Sequence, residues 1–117
     1  PLEAIHPQAW QAAEAGRCAG EQGKFWEYHD KVYAYSPKLG SDELKSAAKD
    51  VGLNSTAFDQ CLASGKYKAA VQKDVNEAAQ LGLTGTPAFF INGREISGAQ
   101  PLEAFVAIID DELGQAK

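Results

Sequence analysis

Methionine is absent from the 117 residues, and cysteine and histidine occur only twice each. Two cysteines cannot build a disulfide-dense miniprotein, and His6 and His29 lack the spacing of zinc ligands. No metal or cofactor is therefore expected. No apolar run approaches the roughly 18 residues that mark a membrane-crossing helix. Positive charge is also scarce: 11 Lys and Arg against 16 Asp and Glu leave a net charge of -5. Phosphate binding needs a basic face, so nucleic acid is not an expected partner. The opening residues lack the basic start and apolar core of a secretory leader. Beginning on Pro1-Leu2-Glu3 without an initiator Met, they read as a cut mature start or a fragment. What remains is ordinary: 44% hydrophobic and 23% charged residues place the chain with globular proteins of one domain, far from disorder.

The chain changes character near Gly82. Before it, nearly everything reads as helix. Pro7 suits a first helical turn, and Ala9, Ala12, Ala13, Glu14 and Ala15 are good helix formers that lead to Cys18. A second helix from about Lys24 to Tyr35 places Phe25, His29 and Val32 on one face. Ser36-Pro37-Lys38-Leu39-Gly40 breaks the pattern. Ser41 is an expected N-cap, with Asp42 and Glu43 complementing the positive helix end, and Gly52 stops that helix. Asn54 or Ser55 caps a short helix through Phe58 and Cys61, ended by Ser64-Gly65. The longest helix is expected from Lys66 to about Leu81, with Tyr67, Val71, Val75 and Ala78 as its apolar stripe. The charges between Lys66 and Lys73 read as a solvated face.

After Gly82 the grammar differs. Ala88-Phe89-Phe90-Ile91 is apolar throughout, long enough for a buried strand and too short for a helix. Asn92-Gly93 is the strongest two-residue hairpin signal, because both positions must accept positive φ. Arg94-Glu95-Ile96 reads as the returning strand. Pro101 opens a last helix whose Leu102, Phe105, Val106, Ile109 and Leu113 form an apolar face. That face needs a sheet to cover, and two strands are a poor partner for it.

Thr84-Gly85-Thr86-Pro87 leads into the first strand. Taken alone, Thr86-Pro87 reads as an ordinary trans bond at a strand entry, since only about 5–6% of X–Pro bonds in folded proteins are cis. The whole run, from helix-ending Gly through Thr-Gly-Thr-Pro, aromatic strand, Asn-Gly, second strand and final helix, resembles the second half of a thioredoxin fold. More closely it is similar to the DsbA-type thiol–disulfide oxidoreductases, the bacterial group with a helical insertion in that fold. Ala19-Gly20-Glu21-Gln22-Gly23-Lys24-Phe25-Trp26-Glu27-Tyr28-His29-Asp30 looks like the start of that insertion. Phe58-Asp59-Gln60-Cys61-Leu62-Ala63-Ser64-Gly65-Lys66-Tyr67 and Ser97-Gly98-Ala99-Gln100-Pro101 fit the same family.

The resemblance implies an α/β, thioredoxin-like architecture, here incomplete. Residues 1–6 would be the end of a core strand, and 7–82 the helical insertion. Residues 83–117 would be the cis-proline loop, hairpin and C-terminal helix. It also implies that Pro87 is the cis-proline and that Thr86 pairs its backbone with a substrate peptide. The family's reaction belongs to a Cys-x-x-Cys motif at a helix N-terminus, where the first thiol's pKa falls. No such motif occurs in these residues, so no catalytic residue is assigned.

Cys18 and Cys61 stand 43 positions apart on different expected helices. A structural disulfide between those helices is the first reading, and closing so long a loop is worth roughly 4 kcal/mol in the chain-entropy model. Two separate buried thiols or a redox pair are the alternatives. His29 beside Asp30 reads as a packed helix residue, with no nucleophile in sight for it to serve. His6 reads as an entry or capping residue. Trp10, Phe25, Trp26, Tyr28, Tyr33 and Tyr35 read as helical core, with a peptide groove as the alternative.

The expected function is thus a portion of a disulfide-exchange enzyme, acting in its complete form on cysteine-containing proteins or peptides together with a redox partner. Family resemblance places it in the bacterial periplasm or otherwise outside the cytoplasm. A non-catalytic peptide-binding or oligomerisation module is the alternative from another class. A glutathione-dependent isomerase or transferase relative is a further one. A hairpin with an unpaired edge beside an uncovered helix face also predicts homo-oligomers of the isolated chain.

Overall fold

The computed structural model describes residues 1–116 and divides into two compact units, Pro1–Glu77 and Ala78–Lys117. In the first unit lie α1 (Ala9–Glu21), α2 (Phe25–Tyr35), α3 (Ser41–Asp50), α4 (Ser55–Ser64) and most of α5 (Lys68–Gln80). In the second, β1 (Ala88–Ile91) and β2 (Arg94–Ser97) form an antiparallel pair followed by α6 (Leu102–Gln115). The content is mixed α/β, in agreement with the expected class.

Small residues let the helices of the first unit approach closely. Ala15 and Ala19 on α1 and Ala47 and Ala48 on α3 are fully buried, around Tyr28, Leu44 and Phe58. Tyr28 stacks against Phe58 with centroids 5.4 Å apart. Its hydroxyl donates to the Leu44 carbonyl at 2.8 Å, satisfying a polar atom that burial would otherwise penalise. The buried stripe of α2 is Tyr28 with half-buried Val32 and Tyr35; Phe25, His29 and Val32 share one face as expected, but Phe25 on it is exposed. Trp26 and Tyr33, expected in the core, are 68% and 71% exposed. The four-and-three spacing fits both stripes, and only packing against α3 and α4 selects one.

Local signals mostly set the ends. Asn54 Oδ1 accepts from the Ala57 amide at 2.9 Å, the expected cap of α4. Asn54 also exchanges two hydrogen bonds with the Gln22 side chain, its amide donating to Oε1 at 2.8 Å and its carbonyl accepting from Nε2 at 3.3 Å. Gly65 ends α4 in the left-handed region at φ 66°. Ser41, by contrast, is the first residue of α3 and makes no capping bond; extended Gly40 holds the N-cap position. The helix expected to be longest, α5, starts at Lys68 rather than Lys66, because the Lys68 amide closes a turn on Gly65, and its 13 residues fall one short of the 14 of α6.

Residues 1–6, expected as the end of a strand, form a turn: the Ile5 and His6 amides donate to the Leu2 carbonyl at 3.1 and 2.8 Å. A strand needs a neighbour for its backbone groups, and among the described residues the sheet contains only β1 and β2. In the second unit, Asn92 and Gly93 take φ 49° and 84°, and this turn sets the register Ile91↔Arg94 through Ala88↔Ser97. Phe89 meets Phe105 of α6 edge-on at 5.0 Å. Arg94 reaches α6 as well, pairing with Asp111 at 2.7 Å and Glu112 at 3.3 Å.

Candidate functional site

Thr86 and Pro87 are both exposed, joined by a cis peptide bond; Ser36-Pro37 is cis too. The Pro87 carbonyl accepts from the Gly98 amide at 2.8 Å, which fastens the loop to the far end of the hairpin. Among the described residues the main chain of Thr86 has no backbone hydrogen-bond partner. Its N–H and C=O are therefore open to an extended segment laid alongside, the geometry of strand addition.

The structure joins Cys18 and Cys61 in a disulfide with Cα atoms 5.9 Å apart, a spacing ordinary for such bridges. Both sulfurs' residues are buried, 1% and 7% exposed, so neither presents itself to a substrate. No free cysteine remains in the chain. Among the described residues no cluster of three metal-ligating side chains forms.

His29 does not approach a nucleophile. It lies 3.1 Å from Asp30 and inside a run of rings, 5.3 Å from Trp26 and 4.7 Å from Tyr33 by centroid. Phe25, His29 and Tyr33 form one wall of an open groove of about 900 Å³ in the first unit. Its floor is the small-residue side of α1, including Ala12, Ala13 and Gly16. A Cβ at Gly16 would come within 3.3 Å of the Phe25 ring, so glycine is what admits the aromatic wall so close. The groove was readable in principle. Phe25, His29 and Tyr33 recur every four residues, and Ala9, Ala13 and Gly16 keep helical spacing.

Charge gathers at one end of that groove. Arg17 pairs with Asp74 at 2.5 Å, and Lys66 pairs with Glu21. The Lys66 contact, followed by a hydrogen bond from Tyr67, holds the Glu21 carboxyl below its usual range. The same carboxylate raises Lys66 and Tyr67. Lys66 is thus engaged rather than simply solvated. Elsewhere, burial pushes the Tyr28 hydroxyl well above its ordinary value, so it stays a proton donor to Leu44.

Comparison with known proteins finds similarity along almost the full length. The pattern of the DSBA-like thioredoxin domain matches residues 4–110. A protein named Na(+)/H(+) antiporter NhaA 3, from Salinispora tropica, is 36% identical over 117 residues, 100% of this chain and 18% of the relative. Na(+)/H(+) antiporter NhaA 1 of Salinispora arenicola is 38% identical over 109 residues, 93% of this chain and 17% of the relative. Na(+)/H(+) antiporter NhaA of Herminiimonas arsenicoxydans is 30% identical over 105 residues, 90% of this chain and 17% of the relative. The chain thus spans less than a fifth of the length of these relatives. Among the described residues no helix is long and apolar enough to cross a membrane.

Proposed function

The chain belongs to the DSBA-like thioredoxin domain family, and from that premise we propose that it is the helical and substrate-docking portion of a thiol–disulfide oxidoreductase. The match over residues 4–110 carries this reading. In the complete enzyme, a substrate thiolate attacks one sulfur of a Cys-x-x-Cys disulfide. A mixed disulfide forms and the other enzyme sulfur leaves as a thiolate. A second substrate thiolate then closes the substrate's disulfide and releases the first enzyme sulfur. Two electrons pass to the enzyme, and the substrate's thiol protons go to solvent. The roles of Thr86 and Pro87 are to hold the substrate extended while this happens, and the open main chain of Thr86 supports that assignment.

Cys18 and Cys61 take no part in the exchange; they brace the helical unit. A disulfide between buried cysteines suits an oxidising, extracytoplasmic setting, the usual one for this family. Cysteine-containing proteins and a redox partner are the proposed partners. The free edges of the hairpin are proposed to pair copies of the isolated chain, a point that light scattering tests directly.

One observation favours a second reading, a non-catalytic peptide-binding module: no thiol in these residues is free. Two measurements separate the readings. The chain alone should reduce insulin no faster than buffer, and clear turnover would defeat the division of roles given above. A Cys-x-x-Cys in the coding sequence upstream of Pro1 is expected for the oxidoreductase; a sequence there without one favours the binding module.

A further inference from the structure

We propose that Asn92 is a site of covalent self-modification, where the chain converts its own asparagine to isoaspartate and aspartate whenever the hairpin opens. Asparagine is one of the thermolabile side chains. Its reaction needs the backbone nitrogen of the next residue to reach the side-chain carbonyl carbon. A following glycine, with no Cβ, hinders that approach least. The chain has three asparagines, Asn54, Asn76 and Asn92, and only Asn92 precedes a glycine.

The structure separates the three further. Asn54 is committed, its Oδ1 accepting from the Ala57 amide at 2.9 Å and its main chain bonded twice to Gln22. Asn76 lies within α5, where its Oδ1 accepts from Gln72 at 2.8 Å and the Glu77 amide belongs to the helix. Asn92 and Gly93 are exposed. Among the described residues, neither the Asn92 side chain nor the Gly93 amide has a hydrogen-bond partner.

The turn itself holds the reaction in check. Asn92 and Gly93 take φ 49° and 84°, the left-handed pair of a two-residue turn. Left-handed backbone combines positive φ with positive ψ, which sets the Gly93 nitrogen nearly opposite Asn92 Cβ across the Cα–C bond. Ring closure needs the two eclipsed, so the step runs through the opened turn, with the Ile91↔Arg94 pairing released. The unit that must open is the weaker one: Ile96 is its one buried hydrophobic residue among those described.

In the open turn the Gly93 nitrogen attacks Asn92 Cγ and a new C–N bond forms. The side-chain nitrogen leaves as ammonia, taking the proton that Gly93 loses. Water then opens the cyclic imide at either carbonyl. One opening gives aspartate; the other gives isoaspartate, whose backbone runs through the side chain and is one carbon longer. That longer chain does not fit the two-residue turn, so the hairpin cannot close again in register. The Pro87 carbonyl is tied to Gly98 at the other end of the same ribbon, and it loosens with the register. The reaction is independent of any disulfide exchange.

The test ages the full chain in warm neutral buffer beside a synthetic peptide of residues 88–97. Tandem mass spectrometry locates each converted asparagine, and isoaspartyl methyltransferase labels the isoaspartate. Conversion is expected at Asn92 in both samples, at least several-fold slower in the chain, with Asn54 and Asn76 intact. Urea below the unfolding transition should bring the chain towards the peptide's rate. The isoaspartyl form should exchange its hairpin amides faster than Asn92→Asp, which carries the same charge on an unlengthened backbone. Equal rates for chain and peptide without urea would overturn the control by the turn. Conversion of Asn54 or Asn76 ahead of Asn92, or an Asn92 still intact in urea after the peptide is consumed, would overturn the site. Equal amide exchange in the isoaspartyl form and Asn92→Asp would overturn the loss of register.

Discussion

The two units solve the problem of stability in opposite ways. In Pro1–Glu77 the buried cluster includes Tyr28, Leu44 and Phe58, closed by hydrogen bonds and a disulfide. In Ala78–Lys117 a two-stranded ribbon and one helix share little more than Ile96 and the Phe89–Phe105 contact, with apolar residues left in the open. The first unit is a finished core. The second holds its shape through turn chemistry and surface ion pairs around a very small interior. A domain's fold can thus be specified locally in a region that has scarcely any interior of its own.

The sharpest way to break this contrast is to empty the first core. Phe58→Ala should cost about 3–5 kcal/mol in urea denaturation, since it removes a fully buried ring. Phe90→Ala, 43% exposed in the second unit, should cost far less, and equal losses would refute the contrast. Replacing Cys18 and Cys61 together by Ala should cost roughly 4 kcal/mol in the chain-entropy model, and thermal melts with and without reductant should show the same difference. Tyr28→Phe removes a buried hydrogen bond while the Leu44 carbonyl stays within α3, a loss of about 1 kcal/mol by the same denaturation. Asn54→Ala removes the cap of α4 and should cost about 1 kcal/mol.

The smallest effect is the one that pH reveals. Glu21 binds its proton less tightly in the folded chain than its ordinary value of 4.5, because of Lys66 and Tyr67. Its contribution is therefore complete above that value and fades as pH falls through the lowered one. Acid melts of Glu21→Gln should lack this component, leaving a small gap between the variant and the parent that closes in acid. Lys66 is raised above 10.5, so its contribution holds below that value and fades as alkali passes the raised one.

Much of this was legible from residue types alone. Asn92-Gly93 announced the hairpin because few other pairs accept positive φ twice in succession, and Asn54 and Gly65 marked the ends of α4. The resemblance gave the family, which the match over residues 4–110 establishes. What could not be read was the side each helix turns inward. Tyr28, rather than Phe25 or Trp26, faces the core because α3 offers the Leu44 carbonyl to its hydroxyl, a long-range fact invisible in local spacing. The groove beside Phe25 could be offered only as an alternative for the same reason: its floor and wall belong to different helices. The exposed side of α6 could be traced as a pattern, but only the folded chain shows that it stays bare.

The bridge between Cys18 and Cys61 has a topological consequence besides its energetic one. It encloses α2, α3 and the connection between them in a covalent ring. A peptide bond cut inside that ring opens the chain without dividing it. Lys38, exposed in the connection, offers such a site to trypsin. A chain clipped there gains only the water of hydrolysis and runs as one species until a reductant separates the pieces, so under oxidising conditions a single proteolytic nick need not dismantle the protein.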